Sequence, residues 1–345
     1  MSIRDSRTEA GEGTSRAATI VERRAALGNR PYAPALPPLA VRLAAPRGFC
    51  AGVERAVRIV EAALLRFGRP VYVRHQIVHN DTVVAELEAK GAIFVEDLAE
   101  VPEGARLVFS AHGVAKAVTA AAARRGLAVL DATCPLVGKV HREAERHAAA
   151  GRHVLMVGHA GHPEVAGTIG QLPEGAITLV ETLAGAEAVL PPPGPLAFVT
   201  QTTLSVEDTA EIVAALRRRF PGIVGPKRED ICYATANRQA AVRAIAAGAD
   251  LVVVLGGAHS SNTRRLCEVA KRAGAGRVRL LARPEDLAWE ELRGVEVLGV
   301  TASASAPEAL VEGLLRRLAG RFALAVEERR TAVEDVVFRL PPPLG

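Results

Sequence analysis

Three times along the chain a cysteine opens an amphipathic helix that runs into an apolar strand, and that recurrence limits the possible folds more than any other feature. After Cys50 the apolar positions Val53, Val57, Val60, Leu64 and Phe67 hold one helical face, and Gly68 with Pro70 stops it. Cys134 is followed by Pro135, suited to the first helical position, and that helix ends near Gly151. Cys232 precedes a third helix from Tyr233 to Ala247, stopped at Gly248. The strands that follow are Val71-Tyr72-Val73, His153 to Val157 and Leu251 to Leu255. Short apolar runs alternating with amphipathic segments signal βα units and parallel sheet.

Polar loops recur on the same beat. His79 lies 29 residues after its cysteine, His162 lies 28 after the next, and Ser260 lies 28 after the third. A second strand end follows in each unit and leads into Ser110-Ala111-His112-Gly113, Thr200-Gln201-Thr202-Thr203 or Thr301-Ala302-Ser303-Ala304-Ser305. The expected fold class is therefore α/β, with three pseudo-repeated modules at 39–133, 134–230 and 231–338, the last with a C-terminal segment packing back. Residues 1–38, ending in Pro34-Ala35-Leu36-Pro37-Pro38, read as a poorly ordered extension. Ligands of open parallel sheets collect at strand carboxyl ends and helix N-termini. Three modules around an axis, a trefoil, would aim three cysteines and six polar loops at one central cavity.

Composition narrows the chemistry. At 345 residues the chain exceeds the usual size of a single core. A net charge of +5 without a Lys/Arg block, and only 3% aromatics, argue against nucleic acid. Four cysteines do not make a disulfide framework, no signal-peptide core opens the chain, and no transmembrane-length apolar run occurs. The expected compartment is a reducing cytoplasm.

Three thiolates at helix N-termini suit an anionic metal site, because the helix dipole favours each charged sulfur. Zinc would want a fourth ligand, and an iron–sulfur cube normally takes four cysteines; with three, one iron keeps an open, Lewis-acidic position. The plain alternative is that the three are small buried apolar residues. Cys267, inside a helix with no polar loop beside it, is expected to be structural. The loops supply His79, His112, His162, Thr202 and Thr203, together with Ser260, Ser261, Asn262 and Ser305. Imidazoles, hydroxyls and helix-start N–H groups suit a phosphate or diphosphate, or else simply cap helices. Glu164 is the one carboxylate embedded in such a loop, as a proton donor or as a first-turn acid. His141, His147 and His153 read as surface residues, and His75 and His159 flank the loops.

The motifs resemble one family, the 4-hydroxy-3-methylbut-2-enyl diphosphate reductases of the methylerythritol phosphate route to isoprenoids. The resemblance runs from about 41 to 338. It rests on Pro46-Arg47-Gly48-Phe49-Cys50-Ala51-Gly52-Val53, Phe109-Ser110-Ala111-His112-Gly113-Val114 and Asp131-Ala132-Thr133-Cys134-Pro135-Leu136-Val137. It also rests on Gly158-His159-Ala160-Gly161-His162-Pro163-Glu164-Val165, Thr200-Gln201-Thr202-Thr203-Leu204-Ser205-Val206 and Asp230-Ile231-Cys232-Tyr233-Ala234-Thr235. The resemblance implies a trefoil around a [4Fe-4S] cluster on Cys50, Cys134 and Cys232. It implies diphosphate binding by His79, His112 and His162 with Thr203, Ser260, Ser261, Asn262 and Ser305. Thr202 would lie near the substrate hydroxyl and Glu164 would relay protons. The implied reaction is a two-electron reductive dehydroxylation giving isopentenyl and dimethylallyl diphosphates, with electrons from an external ferredoxin or flavodoxin type of donor.

Two departures from the family pattern flank the diphosphate loops: Gly257-Ala258-His259, where a Lys-Asn or similar pair is usual, and Ser303 in place of a glycine. Two other readings stay open here. One is an iron–sulfur sensor or a paralogue with an altered substrate. The other is a hydro-lyase that needs no reductant.

Overall fold

Leu251–Leu255 is apolar at every position, and all five residues are buried. A strand covered on both faces is what a parallel sheet requires. The computed structural model describes residues 36–342 and 344; the proposed extension at 1–38 falls almost wholly outside them. Every strand pair in its three sheets is parallel.

The first module carries β2 (Val71–Arg74), β3 (Ala92–Val95), β4 (Arg106–Phe109) and β5 (Ala128–Asp131), in the order β3-β2-β4-β5. The second carries β6 (His153–Val157), β7 (Ile177–Val180) and β8 (Leu196–Thr200), in the order β7-β6-β8. The third carries β9 (Leu251–Leu255), β10 (Arg277–Leu281), β11 (Val297–Ala302) and β12 (Ala323–Arg330), with β1 (Pro38–Ala45) between β11 and β12. From Pro38 onward these sheets belong to one compact unit.

The placement of β1 departs from the sequence reading, which counted it with 39–133. The reason is that the strand preceding each cysteine joins the sheet of the module before. β5 precedes Cys134 and completes the first sheet, and Val224, ahead of Cys232, bridges Ala197 of the second. β1 precedes Cys50, so by the same rule it pairs with the third sheet and closes the ring.

Each cysteine is a helix N-cap. Cys50 begins α1 (Ala51–Phe67), Cys134 begins α4 (Pro135–Ala149) and Cys232 begins α8 (Tyr233–Ala246); α2 (Asp81–Lys90) and α3 (Lys116–Arg124) lie between the first two. The backbone N–H of each cysteine donates to a loop carbonyl: Ala304 for Cys50, Ala111 for Cys134, Thr202 for Cys232. These acceptors occupy equivalent places after β11, β4 and β8, which shows the threefold repeat in hydrogen bonds. The face of α1 that packs on the first sheet buries Ala56, Ile59, Val60 and Ala63. Truncating Ile59 to Ala there would cost about 2–5 kcal/mol.

Candidate active site

The three cysteine-bearing helix starts and the polar loops of all three modules line one cavity of about 690 Å³, counting its open mouth. Among the described residues no three His, Cys, Asp or Glu side chains converge on a single metal ion. The sulfurs are arranged differently, around a shared space. A Cβ placed on Gly52 would lie 2.6 Å from Cys134 Sγ and 3.9 Å from Cys50 Sγ, so only glycine leaves that space open. Thr235 N–H donates to Cys232 Sγ at 3.3 Å from the first turn of α8. Burial pushes the Cys134 thiol up to about 12 and the Cys232 thiol up to about 11, and the neighbouring Cys50 adds to both. Such thiolates persist only beside a compensating cation, so these three cysteines could together hold a cationic metal group.

The imidazoles of His79, His112 and His162 gather in the same cavity, with ring centroids 4.2, 5.5 and 5.9 Å apart. Burial lowers His79 to about 4 and His162 to about 3, and pushes His112 well down, so all three are neutral at pH 7. His162 caps α5 (Pro163–Ile169), its Nδ1 accepting from Glu164 N–H at 3.2 Å, which leaves the proton on Nε2. His79 Nε2 and Asn262 Nδ2 are buried without a partner. Two stranded polar groups on one wall point to an absent ligand. Ser260 caps α9 (Ser261–Arg272), Ser305 Oγ reaches the His79 carbonyl at 3.2 Å, and Thr203 Oγ1 accepts from Gln201 at 2.8 Å. α6 (Leu183–Ala188), α7 (Val206–Arg219) and α10 (Glu308–Ala319) lie outside this ring of loops.

Glu164 is 2% exposed. Its Oε1 accepts the Thr202 N–H at 2.7 Å and its Oε2 the Thr202 hydroxyl at 2.9 Å. Burial raises the carboxyl to about 7; the Thr202 bonds oppose this and the buried Asp230 adds to it. A carboxylic acid that releases its proton near neutrality, in the cavity that the three cysteines line, is equipped to protonate a leaving oxygen.

The two departures are accommodated differently. Ser303 is fully buried, packs toward Gly256 and bonds the hydroxyl of the cavity residue Ser305 at 3.3 Å. His259 is exposed and, with His159, Arg264 and Arg265, lines a second, open cavity that shares His79, His162 and Ser261 with the first. Arg264 was not singled out in the sequence, yet its charge reaches His79, His159 and His162. Thr235 was also missed, although its third-residue spacing from Cys232 marks a capped helix start.

Outside the cavity the surface reading fails for His147, which is 2% exposed with neither ring nitrogen partnered. Its spacing from Val137, Val140 and Ala144 puts it on the apolar stripe of α4. Cys267 packs half-buried against the third module's core, away from the cavity. His75 lies outside the cavity as well, with Nδ1 2.5 Å from Glu96.

The model of the LytB protein family matches residues 41–319. The chain belongs to the LytB family. A relative from Gluconobacter oxydans, named 4-hydroxy-3-methylbut-2-enyl diphosphate reductase, is 64% identical over 89% of this chain and 93% of its own. One of the same name from Phenylobacterium zucineum is 61% identical over 90% and 99%. The solved E-1-hydroxy-2-methyl-but-2-enyl-4-diphosphate reductase of Plasmodium falciparum superposes with a TM-score of 0.85 at 37% identity, covering 89% of this chain and 97% of that one. A second solved structure, of an (E)-4-hydroxy-3-methyl-but-2-enyl diphosphate reductase, gives 0.59 at 31% identity over 82% and 99%. Membership of the LytB family implies an iron–sulfur cofactor. No helix among the described residues is long and apolar enough to cross a membrane.

Proposed function

We propose that the chain reduces 4-hydroxy-3-methylbut-2-enyl diphosphate to isopentenyl and dimethylallyl diphosphates, the terminal step of the non-mevalonate pathway. The observation that carries this reading is the convergence, in one cavity, of three helix-capping thiols, three neutral imidazoles and one carboxylic acid poised near pH 7. Cys50, Cys134 and Cys232 would hold a [4Fe-4S] cluster. When bound, it supplies electrons to the cavity and a Lewis-acidic corner left free by the missing fourth cysteine.

The chain's own residues do the rest. His79, His112 and His162 offer N–H donors to the diphosphate, joined by Asn262 Nδ2 and by hydroxyls of Thr203, Ser260, Ser261 and Ser305. Being neutral before the ligand arrives, the imidazoles do not repel one another, and the anion then favours their protonation. Glu164 donates a proton toward the substrate hydroxyl through or beside Thr202. The carbon–oxygen bond breaks, the hydroxyl leaves as water, and two electrons and a second proton, added at one end or the other of the allyl fragment, complete the two products. The electrons come from an external donor of ferredoxin or flavodoxin type, which a basic chain attracts. Four unpaired cysteines fit a reducing cytoplasm as the setting.

The test is an anaerobic assay of cluster-reconstituted protein with the hydroxylated diphosphate and a dithionite-reduced dye. Turnover to both products that stops without reductant supports the proposal. Water elimination without reductant would make the chain a hydro-lyase, and cluster uptake without turnover would make it a sensor.

A further inference from the structure

Around the cysteine trio runs a ring of cations that the reaction does not use. α1, opened by Cys50, carries Arg55, whose Nη1 donates to the carbonyl of Thr133, the residue before Cys134, at 3.1 Å. α4, opened by Cys134, carries Lys139, whose Nζ donates to the carbonyls of Arg228 and Glu229 at 2.6 and 3.0 Å. The same Nζ bonds Asp230 Oδ1 at 3.0 Å, in the linker that leads to Cys232. α8, opened by Cys232, carries Arg238, whose Nε and Nη2 donate to the carbonyls of Gly48 and Phe49 at 3.0 and 3.1 Å, just before Cys50. Each cation follows its own cysteine by five or six positions and clasps the approach to the next. The contacts close on themselves.

The three differ in burial. Arg238 is 1% exposed and is backed by both carboxylate oxygens of Glu334, at 2.9 and 3.2 Å. Arg55 Nε holds the Arg339 carbonyl at 2.8 Å. The C-terminal segment that carries Glu334 and Arg339 thus fastens two of the three clasps. The acceptors are main-chain carbonyls one to four residues before a cysteine N-cap, joined by the Asp230 carboxylate. Fixing such a carbonyl fixes where the following cysteine starts its helix, and so where its sulfur points.

We propose that Arg55, Lys139 and Arg238 are positioning residues that hold Cys50, Cys134 and Cys232 at the spacing a shared cluster needs, each acting from one module on the cysteine of the next. The inference rests on the cluster reading given above. Groups that orient metal ligands typically contribute about 10–100-fold to metal retention.

Arg55→Met is the cleanest variant, because it strands no carboxylate; Lys139→Met is the second, and Arg55→Lys the conservative control. Two measurements apply. In the cluster-loaded protein, bleaching by an iron chelator should speed up about tenfold in each Met variant and recover in Arg55→Lys, with the thermal melt of Arg55→Met unchanged; Lys139→Met, which strands the buried Asp230, is compared by bleaching and bridging alone. In the cluster-free full chain, dibromobimane, which fluoresces only after bridging two nearby thiols, should bridge less in the Met variants than in wild type. Wild-type bleaching and bridging rates in both Met variants would overturn the proposal. So would a lowered melt in Arg55→Met that Arg55→Lys does not show, since it would mark a purely structural role. A wild-type chain that takes up no cluster would overturn the cluster reading instead, and the bridging yields alone would then decide the fate of the ring.

Discussion

Glu164 and Thr202 hold each other at two points, the carboxylate accepting both the backbone N–H and the hydroxyl of the same residue at 2.7 and 2.9 Å. Burial and Asp230 pull the Glu164 pKa upward, and Thr202 is what restrains it to about 7. Thr202→Val removes the hydroxyl bond to the carboxylate, worth about 1.5–3 kcal/mol. The carboxyl pKa should then rise by about one unit or more. Since Glu164 acts as a proton donor, kcat should fall as pH rises through that pKa. In Thr202→Val the alkaline limb of the kcat profile should move to higher pH; an unmoved limb would detach Glu164 from the rate.

Glu164→Gln separates chemistry from binding. Turnover should drop by about 10²–10⁴, while the brown chromophore and pyrophosphate affinity persist. Stability carries a second signature. The folded pKa of Glu164 lies above its unfolded value of 4.5, so wild type loses stability as pH rises between 4.5 and about 7. The melting temperature of Glu164→Gln relative to wild type should climb over that window and level off above it. Parallel melting curves across the window would show that folding does not raise the carboxyl pKa above 4.5.

The neutral imidazoles predict proton uptake. His79 and His162, at about 4 and 3 in the free protein, should rise on meeting an anion. Binding should therefore take up protons and tighten as pH falls toward 4. Calorimetry with pyrophosphate in buffers of different ionisation enthalpy, corrected for the ligand's own protonation, measures this directly. Replacing His162 by Gln should reduce the uptake.

Gly52→Ala tests the sulfur-lined space. The added methyl would meet Cys134 Sγ at 2.6 Å and its Cβ at 3.4 Å. The helix itself tolerates alanine well. Circular dichroism should stay as in wild type while the reconstituted protein lacks visible absorbance. Full absorbance would show that the cluster does not need the space beside Gly52.

Local patterns in the sequence carried much of the fold and most of the residues that the cavity gathers. The apolar runs at 71–73, 153–157 and 251–255 announce buried parallel strands because nothing polar interrupts them. Cys50, Cys134 and Cys232 stand at helix starts because glycine and proline punctuate their surroundings. The residues that escaped depend on contacts across modules. β1 looks like the opening strand of the first module, and only pairing with β11 and β12 reveals otherwise. The burial of His147 could have been read from its helical spacing to Val137, Val140 and Ala144, whereas Arg264 declares itself only when its neighbours are known. The ring of Arg55, Lys139 and Arg238 was invisible for the same reason, since each cation serves a cysteine some 80 to 190 positions away.

The insertion of β1 between β11 and β12 has a consequence for biosynthesis. The ribosome releases Pro38–Ala45 long before Val297–Ala302 and Ala323–Arg330 exist. At about 5–20 residues per second, that apolar stretch waits on the order of ten seconds or more for its partners. The first and second sheets hold all their own strands and are free to form meanwhile, whereas the third, with β1 in its place, comes last. Nascent chains stalled before residue 297 should accordingly expose Leu39, Val41 and Leu43 to chaperones.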